Sequence, residues 1–150
     1  MGKRLISYIV VHCTASDNPD QDNPQSIIDL HTGPKDKQVD WGEYKDVNCF
    51  GWDHVGYHDF ITNDGLLFEL LDQDVPGYHV KGYNKHSYAI CLSGNKEFTP
   101  FQIEKLVTRL QEKVIEFGLR PHDVLGHYEL DNKGKTCPNI DMDIIRRRLV

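Results

Sequence analysis

A histidine and a cysteine stand side by side at the end of the apolar run YIVVHCTAS, which covers residues 8–16. Both side chains bind zinc in proteins, and both take part in hydrolytic reactions. Neighbouring side chains of a strand point to opposite faces of the sheet, so His12 and Cys13 are separated. Cys13 shares its face with Ile9 and Val11 and is expected to be a small core residue, whereas His12 can face a cleft.

A second histidine and cysteine occur near the C-terminus, in the segment LGHYELDNKGKTCP, where His127 precedes Cys137 by ten residues. With His12 they would form a zinc site of three ligands and one open position. Catalytic zinc sites have that form, whereas structural zinc sites usually fill all four positions with protein ligands. Imidazole and thiolate also suit zinc better than magnesium or calcium. The alternative for His12 is a core histidine whose ring nitrogens are hydrogen-bonded, and spacing does not decide between the two.

Composition limits the classes of function. The chain has 150 residues, which favours one domain over residues 1–150, with 39% hydrophobic and 27% charged residues. Its net charge of −6 argues against nucleic acid or an anionic membrane as the main partner. The four cysteines are far apart and form no C-x-x-C pair, which favours free thiols or metal ligands over a disulfide framework. No pattern indicates an oligomeric state.

The N-terminal segment imitates a secretory signal without matching one. Two basic residues precede the apolar run Leu5–Val11, but this run is short and contains Ser7 and Tyr8. We interpret it as the start of a strand over Leu5–Cys13, and no segment is apolar enough for a transmembrane helix. We therefore expect synthesis in the cytoplasm without a signal peptide.

The remaining patterns predict strands and helices mixed along the chain. Asn23, Pro24 and Gly33 predict a short helix, and Thr99, Pro100, Gln102 and Gly118 predict a longer one with a capping box. Asn63-Asp64-Gly65 predicts a hairpin, residues 88–94 a strand, and DMDIIRRRL a last short helix. Residues 33–54 are predicted to be a long loop or insertion, and residues 120–139 are predicted to be a loop. The fold class is therefore α/β, with a central sheet covered by helices.

Four stretches together resemble the zinc-dependent N-acetylmuramoyl-L-alanine amidases, the family of phage lysozyme-amidases and animal peptidoglycan recognition proteins. They are VVHCTAS, VGYHDFITNDG, HVKGYNKHSYAICLSG and GHYELDNKGKTCP, and their order is that of the family. The resemblance implies the mixed-sheet fold. It also implies hydrolysis of the amide between N-acetylmuramic acid and the L-alanine of the peptidoglycan stem peptide, by a zinc-activated water. The substrate would be peptidoglycan or a muropeptide, acted on in the cell wall after release, as a phage lysin does.

The resemblance also assigns site residues. His12, His127 and Cys137 would bind Zn²⁺. Tyr57 would stand beside the activated water, and Lys135 would steady the reacting carbonyl, although Lys133 competes with Lys135 for this role. His79 and Asn84 would line the substrate groove.

Two alternatives stay open. The first is a peptidoglycan-binding protein of the same fold without catalysis. The second is a cysteine hydrolase that uses Cys13 or Cys137 with a histidine. Phage lysis, a prophage remnant and recycling of wall fragments all fit the sequence.

Overall fold

The structure, a computed structural model, describes residues 3–41, 44–131 and 134–150. The helices in chain order are α1 (Pro24–Thr32), α2 (Pro100–Phe117), α3 (His127–Leu130) and α4 (Met142–Arg147). The strands are β1 (Tyr8–Cys13), β2 (Gln38–Trp41), β3 (Tyr44–Asn48), β4 (Asp59–Ile61), β5 (Leu67–Glu69), β6 (Ser87–Leu92) and β7 (Val124–Gly126). In the part of the chain that the structure describes, no helix combines the length and hydrophobicity needed to cross a membrane.

The central sheet has the strand order β5-β4-β6-β1-β7. β1 runs parallel to both of its neighbours, β6 and β7, and β6 is also parallel to β4. Among the described strand pairs of this five-stranded sheet, the β4–β5 hairpin is the antiparallel one. Its turn contains Gly65 at φ +83°, a conformation that glycine adopts without strain. The predicted α/β class with a central mixed sheet and flanking helices is confirmed.

Strand alternation divides the core into two layers. Ile9 and Val11 of β1 join the larger apolar cluster, which packs under Leu106 and Leu110 of α2. Phe60 and Cys91, which point to the other face, pack with Ile27 of α1. Val10 and His12 alternate with Ile9 and Val11, so His12 faces the side of the sheet that carries α1.

The predicted limits of the two main helices are confirmed. The Asn23 side chain accepts a hydrogen bond from the Ser26 N–H at 2.9 Å at the start of α1. α2 begins with the expected capping box between Thr99 and Gln102, and it ends at Gly118, whose φ is +66°. β1 is shorter than predicted, because it begins at Tyr8 and Leu5 is 72% exposed.

The prediction of a plain loop over residues 33–54 is wrong. β2 and β3 pair there as a separate antiparallel hairpin. Its base is attached to α1, since the Phe50 and Trp52 N–H groups donate to the carbonyls of Leu30 and His31 at 2.8 Å each. The sequence does not reveal this hairpin because it is polar and contains glycine, a composition that is uncommon in strands.

The prediction of a loop over residues 120–139 is also wrong. This segment contains β7 and the single-turn helix α3. A strand of three residues is too short to show a hydrophobic period, so its pairing with β1 was not visible in the sequence.

Candidate metal centre

The pairing of β1 with β7 places two histidines next to each other. Val11 is the register partner of Gly126, and a histidine follows each of them. His12 follows Val11, and His127 follows Gly126. Their ring centroids lie 4.7 Å apart. Both follow the strand direction to the carboxyl edge of the sheet, where open α/β sheets usually bind their ligands.

Cys137 reaches the same place from the loop after α3. Its carbonyl accepts a hydrogen bond from the Tyr128 N–H at 2.9 Å, and its sulfur accepts one from the Cys13 N–H at 3.1 Å. Gly126 lets this loop approach closely, because a Cβ there would lie 3.1 Å from Pro138 Cδ. The sheet and the loop together bring a sulfur to the two imidazoles.

His12, His127 and Cys137, here called the donor trio, each offer one ligand atom within 4.8 Å of the others. Among the described residues, it is the one group of three or more potential metal-binding side chains whose ligand atoms lie this close together. One ion can reach all three atoms after small side-chain rotations, because zinc binds nitrogen at about 2.0–2.1 Å and sulfur at about 2.3 Å. Two imidazoles and a thiol are a donor set that zinc prefers, so the residues present fit this metal.

The two histidines of the donor trio favour the neutral form that a ligand needs. His12 is 1% exposed, and burial, followed by the nearby His79 and His127, lowers its pKa well below the ordinary value. Burial and then Lys135 lower the pKa of His127, while Asp131 opposes this effect. A neutral imidazole keeps a lone pair for a metal instead of a proton.

His79 touches His12 directly. The His12 Nε2 and His79 Nδ1 atoms are 2.8 Å apart, and the His79 Nε2 atom lies 2.9 Å from the Ser87 hydroxyl. Burial lowers the pKa of His79 to about 3, so this ring is also neutral. Both of its ring nitrogens have partners within the chain.

Tyr57 lies against the donor trio on the side that faces α1. Its ring centroid is 5.0 Å from that of His12 and 5.3 Å from that of His31. His31 is itself fixed, because its Nδ1 atom accepts the Gly56 N–H at 2.9 Å. Burial raises the pKa of the Tyr57 phenol well above its ordinary value, so the hydroxyl stays protonated and remains a donor.

Lys135 and Asn84 occupy different environments. Lys135 is exposed, two residues before Cys137, and its charge is near enough to lower the pKa values of His12 and His127. Its competitor Lys133 lies outside the described residues. The side-chain amide oxygen of Asn84, Oδ1, accepts hydrogen bonds from the N–H groups of His79 and Val80 at 2.9 Å each, which closes the turn that holds His79.

The family model described as N-acetylmuramoyl-L-alanine amidase matches residues 2–140. The chain belongs to this family. Among curated proteins, this amidase-family chain is 38% identical over 104 residues to an endolysin of Klebsiella phage KP32. It is 40% identical over 101 residues to an endolysin of Enterobacteria phage K11. Each match covers 61% of this chain and 64% of the relative, so the chain spans less than two thirds of these endolysins.

A solved structure shows the same fold. The N-acetylmuramoyl-L-alanine amidase LysC from Clostridium intestinale superposes with a TM-score of 0.77 at 23% sequence identity. The match covers 97% of this chain and 86% of LysC. It thus extends over nearly the whole amidase-family chain.

Sequence reasoning missed two neighbours of the donor trio in this amidase-family chain. Asp131 lies 3.8 Å from His127 Nε2 by an i,i+4 relation within the α3 segment, and that spacing was a usable signal. Cys13 was expected in the core and is buried, but its sulfur lies 3.7 Å from that of Cys137. No local pattern links these cysteines, because they are 124 positions apart.

Proposed function

We propose that the chain is a zinc-dependent N-acetylmuramoyl-L-alanine amidase that hydrolyses the amide between N-acetylmuramic acid and L-alanine in peptidoglycan. Membership of the family supports the reaction class. The observation that carries the proposal is the convergence of His12, His127 and Cys137 within 4.8 Å. The likeness to phage endolysins supports action on the cell wall after release from the cell that makes the protein.

The donor trio would hold the zinc ion. A zinc ion with one position open supplies a Lewis acid that activates a water molecule and polarises a carbonyl. The contact between Nε2 of His12 and His79 leaves Nδ1 of His12 as the ring nitrogen available to the metal. Asp131 stands in the same relation to His127, since it faces Nε2 of that ring.

Tyr57 and Lys135 would act on the substrate. The phenol of Tyr57 remains protonated, so it can donate a hydrogen bond to the oxygen on which negative charge develops, or to the attacking water. Lys135 brings a positive charge to the exposed side of the site. A donor placed at a developing oxyanion contributes about 10²–10³ in rate, judged by its removal elsewhere.

We assign His79 a positioning role in place of the substrate contact predicted from the resemblance. If His12 binds metal through Nδ1, its proton sits on Nε2 and is donated to Nδ1 of His79. His79 then carries its own proton on Nε2 and donates it to the Ser87 hydroxyl. These two successive hydrogen bonds fix the tautomer and the orientation of His12, as outer partners of metal-binding histidines commonly do. Asn84 holds the backbone of His79, and a direct contact of Asn84 with substrate remains a prediction.

The cysteine-hydrolase alternative has weaker support. A thiol nucleophile needs a base that takes its proton, and the hydrogen bonds of the Cys137 sulfur join it to Cys13. The hydrogen bond between the Cys13 and Cys137 sulfurs, followed by burial, raises the pKa of Cys137, which disfavours its thiolate as a nucleophile. A non-catalytic binding protein would have no need of a complete ligand set.

One assay separates the three functions. Purified cell wall is treated with the protein before and after removal of metal by a chelator, and again after zinc is returned. The readout is the number of new alanine amino termini. Release that stops on chelation and returns with zinc is expected. Release that survives chelation but stops after thiol alkylation would establish the cysteine hydrolase, and binding without release would establish the recognition protein.

A matched variant controls for general effects of cysteine replacement. Cys137→Ser should lose both zinc and release of alanine termini, because the sulfur donor is gone. Cys49→Ser replaces another buried cysteine, outside the donor trio, and should keep both. Equal activity in the two variants would remove Cys137 from the site.

A further inference from the structure

Two free cysteines lie close enough to react with each other. The sulfur of Cys13 is 3.7 Å from the sulfur of Cys137, and the N–H of Cys13 donates to the same sulfur at 3.1 Å. The backbone of one cysteine is therefore attached to the side chain of the other. A disulfide bond is about 2.0 Å long, so the sulfurs must approach each other by less than 2 Å to form one.

The placement follows from the two chain segments that meet at the donor trio. Cys13 is the last residue of β1, and it is 5% exposed on the face opposite to His12. Cys137 lies in the loop that covers this strand end, and it is half-buried. Cys13 is not one of the three converging donors, yet it touches the one sulfur among them. No role in hydrolysis accounts for this second thiol.

We propose that Cys13 and Cys137 form a reversible disulfide that removes the sulfur donor from the metal site. The part that concerns metal binding rests on the proposed function, whereas the disulfide itself does not. In the disulfide, Cys137 has no thiolate to offer, and two imidazoles alone remain of the donor trio. Oxidation would thus convert a zinc-binding protein into one that binds zinc weakly or not at all.

The oxidant in this reaction is a hydroperoxide. One sulfur of the pair attacks the O–O bond, which breaks to give a sulfenic acid on that cysteine and releases the alcohol, or water from hydrogen peroxide. The thiol of the other cysteine then attacks this sulfur, the S–S bond forms, and water leaves. Two electrons pass in total from the two sulfurs to the peroxide. A dithiol reverses the change by exchange.

The direct test is chemical and needs no activity measurement. The full chain is freed of metal, treated with a small excess of hydrogen peroxide, alkylated and digested for mass spectrometry. A linked pair of peptides, one containing Cys13 and the other Cys137, is expected at a mass two hydrogens below their sum. Cys49 and Cys91 should remain alkylated. The inference is overturned if Cys13 and Cys137 stay free or are oxidised separately, with no linked pair.

Zinc gives the second readout. Chain loaded with zinc beforehand should form the linked pair at least tenfold more slowly, because the metal occupies the Cys137 sulfur that the disulfide needs. Oxidised chain should show at least a tenfold loss of zinc affinity, restored by dithiothreitol. Cys49→Ser should behave like the parent in both measurements, whereas Cys13→Ser should form no link between its remaining cysteines. Equal oxidation rates with and without zinc would contradict the inference.

The outcomes distinguish this inference from the proposed function. A linked pair in a chain whose reduced form never binds zinc would sustain the disulfide and refute the metal site. Zinc binding and alanine release without any linked pair would sustain the amidase and refute the disulfide.

Discussion

Two polar clusters in this molecule, both with buried members, hold their polar groups in different ways. The first is the donor trio at the ends of β1 and β7. The second, here called the ion cluster, lies under α2 and consists of Asp59, Glu69, Tyr88 and Arg109. The Arg109 guanidinium contacts both oxygens of Asp59 at 2.8 and 3.2 Å, and also Glu69 at 3.0 Å and the Tyr88 hydroxyl at 3.2 Å.

The ion cluster is complementary within itself. Its cation meets carboxylates in a bidentate arrangement, and Asp59 is fully buried. The donor trio instead gathers two imidazoles and a thiol whose lone pairs converge, with the charge of Lys135 lowering the histidine pKa values further. In the ion cluster, opposite charges stabilise one another, whereas the ligand atoms of the donor trio would be stabilised by a bound cation. The comparison therefore supports a structural role for the ion cluster and the proposed metal-binding role for the donor trio.

The largest expected effect breaks the donor trio. His127→Ala should lose zinc, and release of alanine termini should fall to the background level, because two donors do not make a catalytic zinc site. The unfolding free energy of the metal-free protein should change little, since the trio is not a source of internal attraction. Zinc content, activity and denaturant unfolding with chelator present are the measurements.

His122→Ala is the matched control for this change. His122 is a histidine a few positions earlier with a side chain that is 62% exposed, and its loss should leave zinc content and activity as they were. If His127→Ala kept its zinc, the comparison would fail, because the trio would then not bind metal.

In the ion cluster, a substitution is expected to lower stability and to leave zinc binding unchanged. Arg109→Met leaves the Asp59 carboxylate buried without its cation, which should lower the free energy of unfolding by about 3–5 kcal/mol. Zinc affinity of the folded fraction should be unchanged. Arg147→Met replaces an exposed arginine of α4 and should cost less than about 0.5 kcal/mol. A cost for Arg109→Met no larger than this control would show that the ion cluster is not structural.

The two clusters also differ in how far sequence could predict them. The resemblance named His12, His127 and Cys137 because each belongs to a quoted motif, although the register that joins β1 to β7 was invisible. The ion cluster has no motif: Asp59 and Arg109 are 50 positions apart, and the capping residues that predict α2 do not indicate a role for this arginine. Helix ends are local chemistry and were correct, whereas β7, the β2–β3 hairpin and the contact between Cys13 and Cys137 depend on long-range pairing.

A smaller effect sharpens the distinction within the site itself. Tyr57→Phe removes one hydroxyl and keeps the ring that packs against His12 and His31. The rate of alanine release should fall about 10²–10³-fold while zinc affinity is retained, because the proposed function assigns the phenol to the substrate and not to the metal. Tyr83→Phe, in a ring that packs edge-on against Tyr8, should be neutral. Loss of zinc from Tyr57→Phe would mean that Tyr57 belongs to the ligand set.

The smallest expected effect concerns His79, a hydrogen-bond partner of the donor trio that is not one of its members. It tests whether the trio depends on this partner, as the ion cluster depends on contacts among its own members. His79→Phe removes the acceptor for the Nε2 proton of His12, so zinc affinity should fall about 10–100-fold. His79→Asn puts an amide oxygen near the place of Nδ1 and should recover most of that loss. Zinc titration and the KM and kcat of both variants are the measurements. A raised KM with unchanged zinc affinity would return His79 to the substrate groove, whereas rescue by asparagine is an outcome that a purely steric role for the ring does not produce.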